Sequence, residues 1–431
     1  FGEAKWVYAC GLFMRFTIEG PTTIHGTISV AGAKNEALKL FAAALLLDGP
    51  MEMSRVPDIE DVRRMMEILT ALGARVAASD GRVTVDTTTC TTSVLPAELI
   101  GKLRAGLVLL APLLHRFGSV TLPMPGGDAI GRRPIDLFLE GFQAFGVHAD
   151  ALHDAVVFRA EQLHAAHYVF PIVTVTGTEA LLLLAVKTSG VSVLENVAME
   201  PEVTALAEFL VACGAKMVGI GTPTLTITGV AHLSGGSVTC IPDRIEAGAF
   251  AALTAACGGS LTITDCTPAH LRVPLHILQT MGARVDGNDA AGTVQITVDH
   301  PLRAIPFRTH EYPGLATDLQ PPFTVAMTQA QGIALVHETI YEGRLFFIDK
   351  LNKMGANIIL CDPHRCIVEG PKRLHGTALE SPDIRAGIAL IIAAAAAEGR
   401  STIENVYQID RGFERIEERL QAIGVRIARV P

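Results

Sequence analysis

The chain has 431 residues, a formal net charge of −9 and 49% hydrophobic residues, which makes it too long for a single core and too acidic for a broad nucleic-acid surface. No apolar run reaches the ~18 residues of a membrane span, since the Ala-rich stretch after Arg385 stops at about a dozen. Eight cysteines with no CxxC spacing point to reduced thiols in a cytoplasm rather than a disulfide framework.

Residues 1–13, FGEAKWVYACGLF, hold the only Trp and stand outside the pattern that follows. They read as a leader or cloning remnant ahead of a natural start at Met14. A secretory signal is the alternative, but the apolar stretch is short and no small-residue cleavage site follows it.

From Met14 onward one pattern recurs. An apolar helix starts near Lys34 and closes before Gly49, and an amphipathic helix then ends in LGARV at Gly73. The next helix runs from Arg104 to Gly118, followed by the strand SVTLPMP (119–125) and a helix ending in FGVHA at Gly146. Thr176 to Gly190 leads into VSVLENV (191–197) and CGAKM at Gly214, and Arg244 to Gly258 into SLTITDC (260–266) and MGARV at Gly282. Asp318 to Gly332 leads to MGANI at Gly355, and Arg385 to Gly399 to STIENV (401–406) and IGVRI at Gly424. The closing glycines fall about 70 residues apart, so the chain reads as six units of strand, buried helix, strand, amphipathic helix and strands. Glycine supplies the left-handed residue that ends each helix.

The two helix types have different places. EALLLLAVKTSG and RAGIALIIAAAAAEG are apolar on nearly every face and belong inside a domain. The last helix sets Phe413, Ile416, Leu420 and Ile423 against Glu414, Arg415, Glu417, Glu418 and Arg419, so it lies at a surface.

Lined up, the six buried helices begin with Lys34, Arg104, Thr176, Arg244, Asp318 and Arg385. A helix N-terminus carries partial positive charge and disfavours cations. Four cations there suggest a site for polyanions, with Asp318 set among them to orient a hydroxyl and take its proton. Arg133, Arg344 and Arg411 occupy a second slot, at the starts of the amphipathic helices. They read either as arginines solvating helix ends or as further anion ligands. MPGGDAIGRRPID (124–136) reads either as an ordinary turn or as a loop closing over the site with Asp128 at its tip. Cys361, His364 and Cys366 form a short turn with no fourth ligand, and Cys213, Cys257 and Cys266 read as core, so no metal or cofactor is expected.

GAKN (32–35), PGGDAIG (125–131), RPID (133–136), EPEV (200–203), PDRIEAG (242–248), YPGLATDLQ (312–320), ETIYEGR (338–344) and IDRGFERIEERL (409–420) jointly resemble the UDP-N-acetylglucosamine enolpyruvyl transferases. The resemblance covers residues 14–431 and implies a two-domain inverted α/β barrel with three units per domain. It places 14–33 and 242–431 in one domain and 34–241 in the other, with a cleft closing on substrate. It further implies transfer of enolpyruvyl from phosphoenolpyruvate to the 3-hydroxyl of UDP-N-acetylglucosamine, a step of peptidoglycan synthesis.

By the resemblance, Lys34, Arg133 and Arg411 bind phosphate, Arg344 and Arg385 bind carboxylate, and Arg104 faces the anionic groups. Asp318 is the base, helped by Asn35 and Thr317, with Ile340 beside the substrate. Arg133, Pro134, Ile135, Asp136 and Leu137, with Thr174, Val175 and Thr176, line the uridine diphosphate side. Asp128 stands where most of the family carries the Cys alkylated by fosfomycin, which implies resistance because a carboxyl is not a thiolate nucleophile. Phe138, Ile172 and Thr176 depart from the His, Lys and Gly of well-known members, which leaves open another uridine nucleotide as acceptor, or a non-catalytic nucleotide-binding homologue.

Overall fold

The computed structural model describes residues 14–123, 130–131 and 136–431, with 136 and 137 described by backbone alone. They form two compact units, one of residues 14–31, 130–131 and 242–431, the other of 32–123 and 136–241. The sequence reading differs in two details. Residues 32–33 join the second unit, where the Ala33 N–H donates to the Ile241 carbonyl at 2.7 Å. Ile130 and Gly131 join the first, where the Gly343 N–H donates to the Ile130 carbonyl at 2.9 Å.

Each unit has three sheets among the described residues. In one, Gly259–Thr264 lies between Ile24–Ser29, parallel to it, and Thr293–Val298, antiparallel to it, with Arg284–Asn288 outermost. The same order recurs around Met51–Ser54, Val191–Glu195, Gly332–His337 and Gly399–Glu404. In the sheet of Ser119–Pro123, a single parallel bridge from Val94 to Thr121 stands where the others have a strand. The sheet of Gly399–Glu404 takes its antiparallel partner from the far end of the chain: Arg15–Gly20 sits between Gly399–Glu404 and Arg426–Val430.

The apolar helices sit where their composition requires. In the first unit Arg244–Cys257, Gln320–Gln329 and Ile384–Ala396 pack on one another, and the last is buried along nearly its whole length. Ala-rich faces let such helices approach closely, and Gly248 goes further, since a Cβ there would lie 2.6 Å from Leu319 Cδ1. The amphipathic pattern near the C-terminus buries Phe413, Ile416, Leu420 and Ile423, although the regular helix covers only Ile416–Gln421.

The glycines divide into two sets. All six closing glycines have positive φ, from 88° at Gly146 to 112° at Gly282, a region costly for residues with a Cβ. Those after the buried helices are less uniform. Gly118 and Gly258 are true C-caps. Gly332 and Gly399 have positive φ but already lie in strands. Gly49 follows a turn after Lys34–Ala44, which ends at Leu45 without a left-handed residue.

Candidate active site

The six slots fall at helix starts. Lys34 and Arg244 are first residues of Lys34–Ala44 and Arg244–Cys257, and Arg104 opens the 3-10 turn Arg104–Leu109 that runs into Leu110–Phe117. Thr176 and Arg385 are second residues of Val175–Ala185 and Ile384–Ala396. Asp318 lies in the 3-10 turn Thr317–Leu319 leading into Gln320–Gln329.

The electrostatic reading of those starts needs correction, because acids stand beside the cations. Asp243 caps its helix by accepting the Ile245 and Glu246 N–H groups, and Asp383 does so from Arg385 and Ala386 at 2.8 and 3.0 Å. Those carboxylates satisfy the dipole, leaving the arginine side chains for other work. Lys34 Nζ meets Asp61 Oδ2 at 2.7 Å, with both side chains buried. Asp61 lies in the first turn of Glu60–Ala71, where a helix favours an anion.

The second slot also departs from expectation. Arg411 follows the one-turn helix Tyr407–Asp410 as its C-cap, a place that favours a cation, and the next helix starts only at Ile416. Its Nη1 donates to Gln408 Oε1 at 2.9 Å. Arg344 sits in a turn before Ile348–Lys353. Asp128, Arg133, Pro134 and Ile135 lie outside the described residues, and Asp136 and Leu137 begin the helix Asp136–Ala144.

What the fold brings together is Thr317, Asp318, Arg344 and Arg385. Arg344 Nη2 donates to Asp318 Oδ1 at 3.0 Å, and Arg385 Nε donates to Oδ2 at 2.8 Å. Arg344 Nε donates to Thr317 Oγ1 at 3.2 Å. Both guanidiniums are sunk into the protein, with side chains 3% and 5% exposed, whereas the Asp318 side chain is 22% exposed. Arg344 lies over the Tyr341 ring and Arg385 over the Phe413 ring, an aromatic seat that suits a planar cation. Arg344 Nη1 is buried with no hydrogen-bond partner among the described residues; Asp383 Oδ1 is 4.0 Å away.

Sequence reasoning missed Asp61, Asp383 and Glu338. Glu338 is buried and accepts the Ile340 and Tyr341 N–H groups at 2.8 and 3.1 Å, which shapes the turn carrying Ile340 and Arg344. The signal for Asp61 and Asp383 was acid placed next to a helix start, in PDIED and SPDIR.

In the other unit Thr174 caps Val175–Ala185 by accepting the Gly177 N–H at 3.3 Å, with Val175 and Thr176 half-buried beside it. Arg104 and Asn35 are half-buried, Phe138 is packed in the core, and Ile172 is exposed. Below Lys34 the interior holds several acids. Burial, resisted by the Ile241 N–H bond and reinforced by Glu202, pushes the Glu36 carboxyl up to about 8. Burial likewise pushes Glu179 up to about 7, against the pull of Lys39, whose Nζ is 3.3 Å from Oε2.

The remaining polar candidates are structural. Cys366 is buried in the core, Cys361 is exposed, and His364 Nδ1 meets the Glu338 carbonyl at 2.8 Å. Cys213 and Cys266 are core residues and Cys257 packs at the core edge. Among the described residues, no helix is long and apolar enough to cross a membrane.

A family model described as EPSP synthase (3-phosphoshikimate 1-carboxyvinyltransferase) matches residues 18–420. The chain belongs to the enolpyruvyl transferase family. Within it, this enolpyruvyl transferase is 39% identical over 416 residues to UDP-N-acetylglucosamine 1-carboxyvinyltransferase 3 of Caldanaerobacter subterraneus subsp. tengcongensis, covering 96% of the chain and 99% of that relative. It is 41% identical over 420 residues to the UDP-N-acetylglucosamine 1-carboxyvinyltransferase of Koribacter versatilis, covering 96% of each. Among solved structures, the enolpyruvyl transferase NikO from Streptomyces tendae superposes with a TM-score of 0.88 at 26% identity, covering 97% of this chain and all of that one. An EPSP synthase from Acinetobacter baumannii, at 19% identity and TM-score 0.76 over 97% of this chain and all of that one, shares the fold. These likenesses establish the two-domain mixed α/β fold of the family.

Proposed function

We propose that this enolpyruvyl transferase moves the enolpyruvyl group of phosphoenolpyruvate to the 3-hydroxyl of UDP-N-acetylglucosamine, releasing phosphate, as a cytoplasmic step of peptidoglycan synthesis. The observation that carries the reading is Asp318 held between the buried guanidiniums of Arg344 and Arg385. Two relatives near 40% identity, matched over nearly their whole length, bear the name of that activity.

The chemistry asks for what these residues offer. In the addition step the acceptor oxygen bonds to C2 of phosphoenolpyruvate, its proton leaves to a base, and C3 gains a proton. In the elimination step the C2–O bond to phosphate breaks and a proton leaves C3. Asp318 takes the hydroxyl proton, with Thr317 and Asn35 beside the acceptor. Arg344 and Arg385 hold the carboxylate, which fixes C2 for attack. Lys34 and Arg411 hold the phosphate with Arg133, Arg104 faces the anionic groups, and charge stays neutralised through the tetrahedral intermediate. Ile340 and Pro134 to Leu137 bound the substrate, and Thr174 to Thr176 bound the nucleotide.

Asp128 donates the proton to C3 in place of the thiol found in most of the family. The enzyme is therefore fosfomycin-resistant with turnover retained. Covalent labelling of the native protein by the drug at Asp128 overturns this, and Asp128→Cys is expected to gain sensitivity.

The deciding experiment measures phosphate release from phosphoenolpyruvate with UDP-N-acetylglucosamine, UMP or shikimate 3-phosphate as acceptor. Release with the first alone is the expected result. Release only with another acceptor moves the protein to a neighbouring pathway, and none with any acceptor leaves a nucleotide-binding homologue. The second reading, another uridine nucleotide as acceptor, is favoured by exposed Ile172 and buried Phe138, positions where the family resemblance calls for Lys and His.

A further inference from the structure

Arg344 and Arg385 come from different elements, 26 and 67 residues from Asp318 in sequence, yet their guanidiniums converge on its two carboxylate oxygens. This arrangement grips a carboxylate from two sides. The carboxylate now in the grip is the protein's own, and it belongs to the residue assigned the base role.

Three features make this an exchangeable pair. First, the cations are anchored while the anion is the more exposed member, at 22% against 3% and 5%. Arg344 is further held by Thr317 and Tyr341, and Arg385 by Phe413. Second, Asp318 leaves part of the grip unused, because Arg344 Nη1 is buried with no hydrogen-bond partner among the described residues. A carboxylate spanning Nη1 and Nη2 forms the bidentate geometry that guanidinium favours and satisfies that donor, which otherwise carries a desolvation cost. Third, Asp383 lies 4.0 Å from Arg344 and is committed to capping its helix. Arg344 and Arg385 thus already face Asp318 and Asp383, and Asp318 is the acid not committed to a cap, so a further carboxylate gains most by displacing it.

We propose that Asp318 is a resident stand-in for the substrate carboxylate, and that arrival of that carboxylate on Arg344 and Arg385 releases Asp318 to face the acceptor hydroxyl. The inference rests on the enolpyruvyl transfer reading and adds regulation to it. The base is masked until the carboxylate substrate is seated. The exchange swaps one carboxylate for another, so no proton or electron changes hands in it.

The test is calorimetric titration of phosphoenolpyruvate into the full-length wild type, Asp318→Asn, Arg344→Gln and the double variant. Asp318→Asn is expected to bind phosphoenolpyruvate about tenfold more tightly, the size of a typical coupling between sites. That gain is expected to vanish in the Arg344→Gln background, while phosphate release by Asp318→Asn collapses. Equal or weaker binding by Asp318→Asn overturns the exchange and, if the wild type still turns over UDP-N-acetylglucosamine, leaves the proposed function intact. Tighter binding by Asp318→Asn with no turnover by the wild type on any acceptor does the reverse. Binding by neither the wild type nor Asp318→Asn, together with no turnover by the wild type on any acceptor, overturns both. Should Asp318→Asn fail to fold, the Arg385 Nε–H resonance of the wild type supplies the answer: it is expected to shift when phosphoenolpyruvate is titrated in, and an unmoved resonance at saturation overturns the exchange.

Discussion

Raising the pH from 6 to 9 is expected to destabilise the unit containing residues 32–241, and Glu36→Gln to remove most of that loss. Glu36 lies two residues into the helix that Lys34 opens, is buried, and accepts the Ile241 N–H at 2.6 Å. Its carboxyl is raised by burial from 4.5 to about 8. The folded state therefore keeps a proton that the unfolded chain has already lost, and stability falls as pH climbs through that window. One raised pKa unit is 1.36 kcal/mol, so the interval from pH 6 to 9 costs about 3 kcal/mol from Glu36. Glu179, raised to about 7, adds about 1 kcal/mol. Lys39, Glu200 and Glu202 share this interior and are the charges that bear on the two carboxyls. The Gln amide oxygen keeps the acceptor for Ile241 without the ionisation. Urea midpoints followed by circular dichroism at each pH measure the effect. A flat profile in the wild type, or an equal slope in Glu36→Gln, refutes the reasoning.

Three further outcomes follow from the contacts around the site. Lys34→Met takes from buried Asp61 the ammonium 2.7 Å away, so urea denaturation is expected to report a loss of about 3–5 kcal/mol. Lys34→Met with Asp61→Leu is expected to recover most of that stability but no phosphate release. Asp383→Ala removes the cap of Ile384–Ala396 and is expected to cost about 1–2 kcal/mol by the same assay, while an unchanged midpoint denies the cap its weight. Gly248→Ala places a Cβ 2.6 Å from Leu319 Cδ1. It is expected to cost about 1–3 kcal/mol and to slow phosphate release, because Leu319 adjoins Asp318.

Local signals carried much of the fold. The closing glycines mark positions of positive φ because a single residue's backbone decides them, and the apolar helices are buried because composition alone excludes water-facing positions. The site was legible in part. Comparing helix starts singled out Asp318, but its pairing with Arg344 and Arg385 depends on how separate elements come together. Four cations at helix starts suggest repulsion of the helix dipole, but Asp243 and Asp383, just ahead of Arg244 and Arg385, satisfy two of those starts. The true place of Arg411, at a helix end, is not legible in the sequence, since a short helix followed by a turn has no distinct periodicity and Arg415 in the left-handed region breaks the pattern there.

The strand Arg15–Gly20 has a consequence for the order in which the protein is made. It leaves the ribosome well before both of its neighbours, Gly399–Glu404 and Arg426–Val430, which follow residues 32–241 in the chain. During synthesis its two edges stay unpaired while residues 32–241 have all the chain they need to fold. A strand edge left open for so long can pair wrongly, and long-range pairing is slow to form. Loss of Arg426–Val430 would thus reach back to Arg15–Gly20, leaving an earlier piece of the protein without the neighbour it waited for.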